Sequence, residues 1–336
     1  MDSPQVRDCV NSLVMATCLV IGAAGQLGIE LTLALQAKYG VDEVHISDIR
    51  APQNEEVMRS RYLTADAMDP SALEALLGTD GGYEEVYHLA AMLSAVGEKH
   101  PLRAWDLNMQ SLLLLLEAGR EGKYARLFWP SSIAVFGHQT QKDNTPQDAQ
   151  LDPTTVYGIS KQSGEWWCAY YHRKYGADVR SLRYPGLIGH RSQPGGGTTD
   201  YAVEIFAEAA HGNPFTCFLS PTEALPMMYM DDAVRATLAL MAAPEESLTV
   251  RTSYTLAGIS FAPAELASVI ASHLPAFEIR YAPDERQQIA ASWPNSVDDS
   301  VAQRDWGWTA SVDLEALVKI MLEAQLANVA AAGRKS

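Results

Sequence analysis

A chain of 336 residues, 47% of them hydrophobic, carries enough apolar side chain for a full core, built as one large α/β unit or as two lobes. Its 25 Lys and Arg against 41 Asp and Glu leave a formal charge of −16, which argues against nucleic acid or an anionic membrane surface as the main partner and favours a small molecule. Cys9, Cys18, Cys168 and Cys217 lie far apart without a C-x-x-C pair, so neither a zinc site nor a disulfide framework is indicated, and a reducing cytoplasm is the plain reading.

The fold is expected to start near Met15, with the residues ahead of it as an extension. The apolar run 13–24 reads as a buried strand, not a signal-peptide core: only Arg7 precedes it, flanked by Asp2 and Asp8, and no small-residue cleavage pattern follows. No stretch is long and apolar enough to span a bilayer. Strands are expected at "TCLVIG", "EVHISD", "RYLTA", "EVYHLA", "ARLFWP" and "DVRSLR", with helices near 26–39, 70–77, 102–120 and 154–175. This alternation predicts a doubly wound parallel sheet of the Rossmann type. Residues 15–183 would form the dinucleotide domain and 184–330 a smaller substrate lobe, with short strands such as "SYTLAG" and "EIRYAP" and scope for the chain to return to the large sheet.

"TCLVIGAAGQLGIELTLAL" reads as strand, glycine turn and helix, with Gly22, Gly25 and Gly28 spaced G-x-x-G-x-x-G. The first glycine allows the tight turn, the second a close approach to a pyrophosphate, the third helix-on-strand packing; Gln26 and Leu27 open the helix at the anion. Asp48 ends the next strand about 20 residues on, where a carboxylate accepts from an adenosine ribose. It favours NAD over NADP, with Arg50 close enough to complicate the choice. Asp66 is a candidate for the adenine amino group or, equally, a helix N-terminal aspartate before "DPSALEALL".

Leu112 to Leu116 are consecutive leucines in a predicted helix, so its apolar surface needs cover on more than one side. With Trp166, Trp167, Tyr170 and Tyr171 on the next long helix, this predicts packing against a second subunit, a homodimer; the alternative is a helix buried inside one monomer.

That second helix begins "TTVYGISKQSGEWW", placing Tyr157 and Lys161 one turn apart beside Gly158. A phenol with an ordinary pKa of about 10 is a poor base, and a nearby ammonium would favour its ionised form. Tyr157 would then take a hydroxyl proton. Tyr170 and Lys174 repeat the spacing on a different face, so spacing alone proves little; only Tyr157 lies near the helix start, where doubly wound sheets place ligands. No H-E-x-x-H, G-x-S-x-G or histidine cluster competes, and no metal site is expected.

"GAAGQLG", "HLAA", "PSSIAVFG" and "YGISK" resemble, in order and spacing, the extended short-chain dehydrogenase/reductase superfamily over about the first 190 residues. The resemblance implies Ser132, Tyr157 and Lys161 as catalytic residues, with Tyr157 and Lys161 also at the cofactor. It further implies Leu89, Ala90 and Ala91 against the cofactor, and Pro185 and Leu187, in "YPGLIG", at the nicotinamide carboxamide through peptide groups. Dehydratases of the superfamily place an acid just beyond the serine; Ile133 and Ala134 stand there, leaving oxidation or epimerisation.

"SQPGGGTTDYAVEIF", "LPMMYMDDAVRATLALM", "LTVRTSYTLAGISFAP" and "SWPNSVDDSVAQRDWGW" extend the likeness to the short-chain L-threonine 3-dehydrogenases, from Cys18 to about Leu322. Implied is oxidation of the L-threonine β-hydroxyl by NAD to 2-amino-3-oxobutanoate, without zinc. From chemistry, the amides of the glycine loop and the hydroxyls of Thr198 and Thr199 would bind a substrate carboxylate at a helix start, or Thr198 or Asp200 would merely cap that helix. Ser94, after strand four, would bind the amino or carboxylate group. Trp293 would close over the substrate or serve the core, and Gly195, Gly196 and Gly197 would hinge such a closure. Rival readings are a nucleotide-sugar 4-epimerase and a non-catalytic dinucleotide sensor.

Overall fold

The computed structural model describes residues 18–79, 82–191 and 195–333; the expected extension ahead of Met15 lies outside them. The six predicted strands form as β1 (Cys18–Ile21), β2 (Val44–Asp48), β3 (Arg61–Thr64), β4 (Tyr83–His88), β5 (Tyr124–Ser132) and β6 (Asp178–Tyr184). They are followed by β7 (Gly186–Ile188), β8 (Phe215–Cys217), β9 (Leu225–Tyr229), β10 (Tyr254–Thr255), β11 (Ile259–Phe261) and β12 (Ile279–Tyr281). The large sheet runs β10-β6-β5-β4-β1-β2-β3, parallel at every pairing. Strand order reverses between β1 and β4, and that switch point opens a crevice at the carboxyl ends of the strands.

Helices α1 (Gln26–Tyr39) and α2 (Pro70–Leu77) form as expected. α2 starts where Asp69 Oδ1 accepts from the Ser71 and Ala72 amides, with Pro70 in its first turn. The helix expected at 102–120 is preceded by one that periodicity does not announce: α3 (Ser94–Lys99) leads into α4 (Pro101–Arg120). α5 (Val156–Tyr175) opens on a Thr155 cap, whose Oγ1 accepts from the Gly158 amide, and ends on Gly176 at φ +71. Beyond it come α6 (Tyr201–Ala210), α7 (Met230–Ala242), α8 (Pro263–His273), α9 (Glu285–Ala290), α10 (Ser300–Trp306) and α11 (Leu314–Gly333).

One face of the large sheet packs against α1 and α7 through Leu31, Leu35, Phe128, Ala233 and Leu240. The other packs against α2, α4 and α5 through Leu73, Leu112, Leu116, Trp129 and Cys168. A separate core around Tyr201, Phe206, Phe261, Leu266 and Leu317 supports the smaller lobe with its sheets β11-β9-β7 and β12-β8. The chain crosses the division anticipated at residue 183: β10 pairs with β6, and α7 packs beside α1. Of the leucine run, Leu112, Leu115 and Leu116 are fully buried, and Leu113 and Leu114 partly so against the same core. Tyr171, expected at a subunit contact, is buried within the chain instead, its hydroxyl donating to Glu117 across the α4–α5 seam.

Candidate active site

A cavity of about 650 Å³ opens at the switch point, a size that suits a cofactor-sized ligand. Gly22 has φ +90, and a Cβ there would lie 2.6 Å from the Ala90 amide nitrogen, so turn and strand-four loop touch only because the side chain is absent. A Cβ on Gly28 would fall 2.2 Å from the Gly22 carbonyl oxygen, whereas the nearest atom for Gly25 is 3.4 Å away and Gly25 lines the cavity. The three glycines thus divide into turn, open approach and packing, as their spacing predicts. α1 begins there with no side-chain cap and no acid in its first turn, so its leading amides face the cavity unopposed.

Asp48 reaches back from β2 to the glycine turn, its Oδ2 accepting from the Ala24 amide at 3.0 Å. Arg50 and Asp66 line the same cavity. Asp66 accepts from the Met68 amide at 2.9 Å, and the helix cap once open to it belongs to Asp69. Leu27, Leu89, Ala90, Ala91, Pro185 and Leu187 all line the cavity, and among the described residues the buried Gln26 Nε2 has no hydrogen-bond partner. A helix N-terminus without a side-chain cap, a carboxylate at the end of β2 and an orphaned amide donor fit a dinucleotide.

The chemical groups converge at the other end. β5 delivers Ser132, extended at φ −154, before a tight turn over Ile133–Val135. α5 delivers Tyr157 and Lys161 within its first two turns. Gly158 is the reason they come close: a Cβ there would sit 2.1 Å from the Ala134 carbonyl oxygen, so only glycine lets the helix start press against the turn that follows Ser132. Lys161 is buried, its Nζ donating to the Pro130 carbonyl at 2.6 Å and lying 5.5 Å from the centre of the Tyr157 ring. The expected tuning is different in kind. Burial pushes the Tyr157 phenol up to about 12, and the group that draws it back is the Ser132 hydroxyl, not the ammonium. Burial pulls Lys161 down to about 7, against the opposing pull of Cys168 and Glu165.

The residues expected at the substrate are drawn from three distant segments. Ser94, the first residue of α3, and Thr198 are both buried, with their hydroxyl oxygens 3.2 Å apart across 104 residues of chain. Thr199 lines the cavity beside them and packs against Gly186. The glycine-loop amides expected to be free are not: Asp200 Oδ2 accepts from both Gly196 and Gly197 at 2.8 Å. The loop is therefore tied at that point, with Thr198 and Thr199 lining the cavity beside it. Trp293 is 4% exposed and belongs to the small lobe's core, and it also lines the cavity.

Lys142 escaped the sequence reading. It sits in a polar loop, and its ammonium donates to the carbonyls of Ala291 and Trp293 at 2.6 and 2.7 Å, pinning the tryptophan segment to the loop that leads into α5. Nothing in "HQTQKDNTPQ" marks it, because its partners are backbone atoms about 150 residues away.

A doubly wound sheet that brings a serine, a tyrosine and a lysine to the end of a dinucleotide cradle defines the site of a nicotinamide-dependent enzyme. The sequence pattern of the NAD dependent epimerase/dehydratase family matches residues 18–255. The chain belongs to that family, and NAD is its cofactor. An uncharacterized epimerase/dehydratase of Staphylococcus haemolyticus is 41% identical, covering 92% of this chain and 98% of that one. Among solved structures, a partial consensus L-threonine 3-dehydrogenase is 53% identical with a TM-score of 0.90, over 93% of this chain and 99% of that one. The holo form of the GalE-like L-threonine dehydrogenase of Cupriavidus necator is 51% identical with a TM-score of 0.88, over 91% and 99%.

Proposed function

We propose that this chain oxidises the β-hydroxyl of L-threonine to give 2-amino-3-oxobutanoate, with NAD as acceptor. One observation carries the reading: the Ser132, Tyr157 and Lys161 group shares its cavity with the Ser94 and Thr198 hydroxyls on one side and the glycine turn and Asp48 on the other. The similar structures named above carry the same activity in their names.

When bound, NAD supplies the acceptor for the hydrogen and two electrons that leave the alcohol carbon. Tyr157, once ionised, takes the hydroxyl proton at its phenolate oxygen, and Ser132 hydrogen-bonds the same alcohol oxygen and steadies the charge that develops there. Lys161, anchored on Pro130, lies beside the phenol, and in its protonated form it would favour the phenolate. Thr198, Thr199 and Ser94 receive the carboxylate and amino groups, and Trp293 keeps water from the reacting atoms. The decisive measurement mixes purified protein, NAD and L- or D-threonine and follows NADH absorbance. Growth with the L-isomer alone is the expected result; silence with L-threonine overturns the reading.

Asp48 supports a preference for NAD over NADP, because a carboxylate at the ribose repels a 2′-phosphate. The assembly proposed is a homodimer formed through α4 and α5: Leu102 and Trp166 stand 80% and 59% exposed, and Trp105, Ile159 and Trp167 extend the same apolar surface. Sedimentation should find a dimer that Trp166→Glu dissociates. A cytoplasmic setting is proposed from the buried free thiols Cys18, Cys168 and Cys217. Among the described residues no helix is long and apolar enough to cross a membrane.

A further inference from the structure

Three consecutive residues of β5 face α5, and two of them are held by it. The Pro130 carbonyl accepts from Lys161 Nζ at 2.6 Å and the Ser131 hydroxyl donates to Glu165 Oε1 at 2.6 Å, while the Ser132 hydroxyl faces the Tyr157 phenol and favours its ionised form. The first and third engage residues of the proposed reaction, while the middle one engages a carboxylate whose side chain is 0% exposed. Glu165 does not line the cavity, so it touches neither substrate nor cofactor.

A fully buried charge needs a reason. Arg183 of β6 stands directly across from Ser131 in the sheet register and forks onto Glu165, Nε to Oε1 at 2.9 Å and Nη2 to Oε2 at 2.7 Å. Its remaining nitrogen, Nη1, donates to the Gln147 carbonyl at 2.9 Å and to Thr255 Oγ1 at 3.3 Å. Gln147 is itself fixed, accepting from the Thr255 amide and donating to the Ser253 carbonyl, each at 2.8 Å. The guanidinium therefore has no freedom to follow the helix, and the carboxylate is clamped between two neighbouring strands and a loop. A buried ion pair of this kind adds little net stability compared with apolar packing, but its fixed geometry selects one arrangement over near alternatives.

Near alternatives are a real hazard at this contact. Gly158 and Gly164 flank the segment, and a Cβ at Gly164 would lie 2.3 Å from the Trp129 ring. At those two positions α5 thus meets its neighbours with no side chain to key it. A helix that smooth can slide or roll by a fraction of a turn, which would carry Tyr157 and Lys161 off Ser132 and Pro130 together.

We propose that Glu165 is a positioning residue: gripped by Ser131 and Arg183, its carboxylate sets the height and rotation of α5 on β5, and so brings Tyr157 and Lys161 to Ser132. The charge environment agrees with the geometry. Lys161 is faced by Tyr157, Glu165 and Cys168 from its own helix and by His88 from β4, and the β5 residues around it, Trp129 to Ser132, carry no titratable group. Glu165 is the carboxylate among these, and it favours the protonated lysine.

The kinetic part of the test rests on the threonine-oxidising reading; the titration part does not. The variants are Ser131→Ala and Glu165→Gln, in the full chain. The Lys161 side chain is titrated by NMR of 13C-lysine protein, its signal identified by its loss in Lys161→Met. Ser131→Ala changes no charge, so a move of the Lys161 midpoint by about half a pH unit or more reports a change of placement, and that is the expected result. Glu165→Gln should lower the midpoint, because the nearest negative charge is gone. With L-threonine and NAD, both variants should lose kcat by roughly ten- to a hundredfold with KM changed less than about threefold. Unmoved Lys161 midpoints and kcat within about twofold in both, with only Tm reduced, make Glu165 merely structural and overturn the proposal. If Glu165→Gln does not fold, Ser131→Ala decides by the same readouts. If the wild-type chain leaves L-threonine untouched, the substrate reading fails by itself and the Lys161 titration still decides on Glu165.

Discussion

Two tyrosine–lysine pairs lie on α5 at the same spacing, and by solution chemistry the wrong one looks activated. At the exposed pair, Lys174 Nζ donates directly to the Tyr170 hydroxyl at 2.7 Å and holds that phenol below its usual pKa, while the phenol holds the lysine above its own. At the buried pair, Tyr157 is pushed up to about 12 and Lys161 down to about 7, both chiefly by burial. A tuned phenol is therefore not what marks the reaction site. Tyr170 does not line the cavity, whereas Tyr157 lines it together with Ser132, the glycine turn, Ser94 and Thr198. Placement at the switch point selects the pair; the dry surroundings that cost both groups their charge also strengthen each interaction made there.

The sharpest way to break this comparison is to remove each phenol in turn. Tyr157→Phe should lower kcat by roughly a thousandfold or more, while Tyr170→Phe should stay within about twofold; equal losses would erase the distinction. Next in size is the pH dependence. A base raised to about 12 is mostly protonated at neutrality, so the oxidation rate should climb from pH 7 to pH 10, by as much as about tenfold per unit. A flat profile would show that the phenol is not the proton acceptor.

Thr198→Ala should raise the threonine KM about tenfold, the loss of one hydrogen bond to a charged group, with kcat little altered; an unchanged KM removes Thr198 from the carboxylate site. The smallest effect concerns stability. Folded Lys161 loses its proton near pH 7, but the unfolded chain keeps it to about 10.4. Between those values unfolding takes up a proton, so rising pH stabilises the fold. Relative to Lys161→Met, the wild-type chain should therefore gain unfolding free energy from pH 7 toward pH 10. Lys174→Met, measured against the same wild type, should show no such slope over that window.

Much of the dinucleotide half was legible because its signals are local. Gly22, Gly25, Gly28 and Asp48 fall within one strand–turn–helix–strand unit, and each has a reason that its near neighbours supply. α1 and α2 have the expected bounds because Gln26 and Asp69 stand at turn boundaries that local chemistry dictates. The substrate end was legible in residue type but not in arrangement. Ser94 and Thr198 were candidates singly, yet nothing in either segment says that they meet. Asp200 shows the reverse error: as a helix-start residue it promised a cap, but its carboxylate turns back onto the Gly196 and Gly197 amides and removes them from the ligand's reach. α3 stayed hidden because six residues give periodicity too little length.

By itself, then, the order of amino acids determined the parallel sheet, the glycine turn and the carboxylate that ends β2, since backbone sterics and residue spacing act over a few residues, while it put forward Ser132, Tyr157 and Lys161 through their resemblance to a known pattern. Only the tertiary structure decided which tyrosine–lysine pair is enclosed, which amides remain free, and that Glu165 is locked between Ser131 and Arg183. Those outcomes depend on desolvation and on contacts between segments far apart in the chain, and neither is written in any single stretch of it.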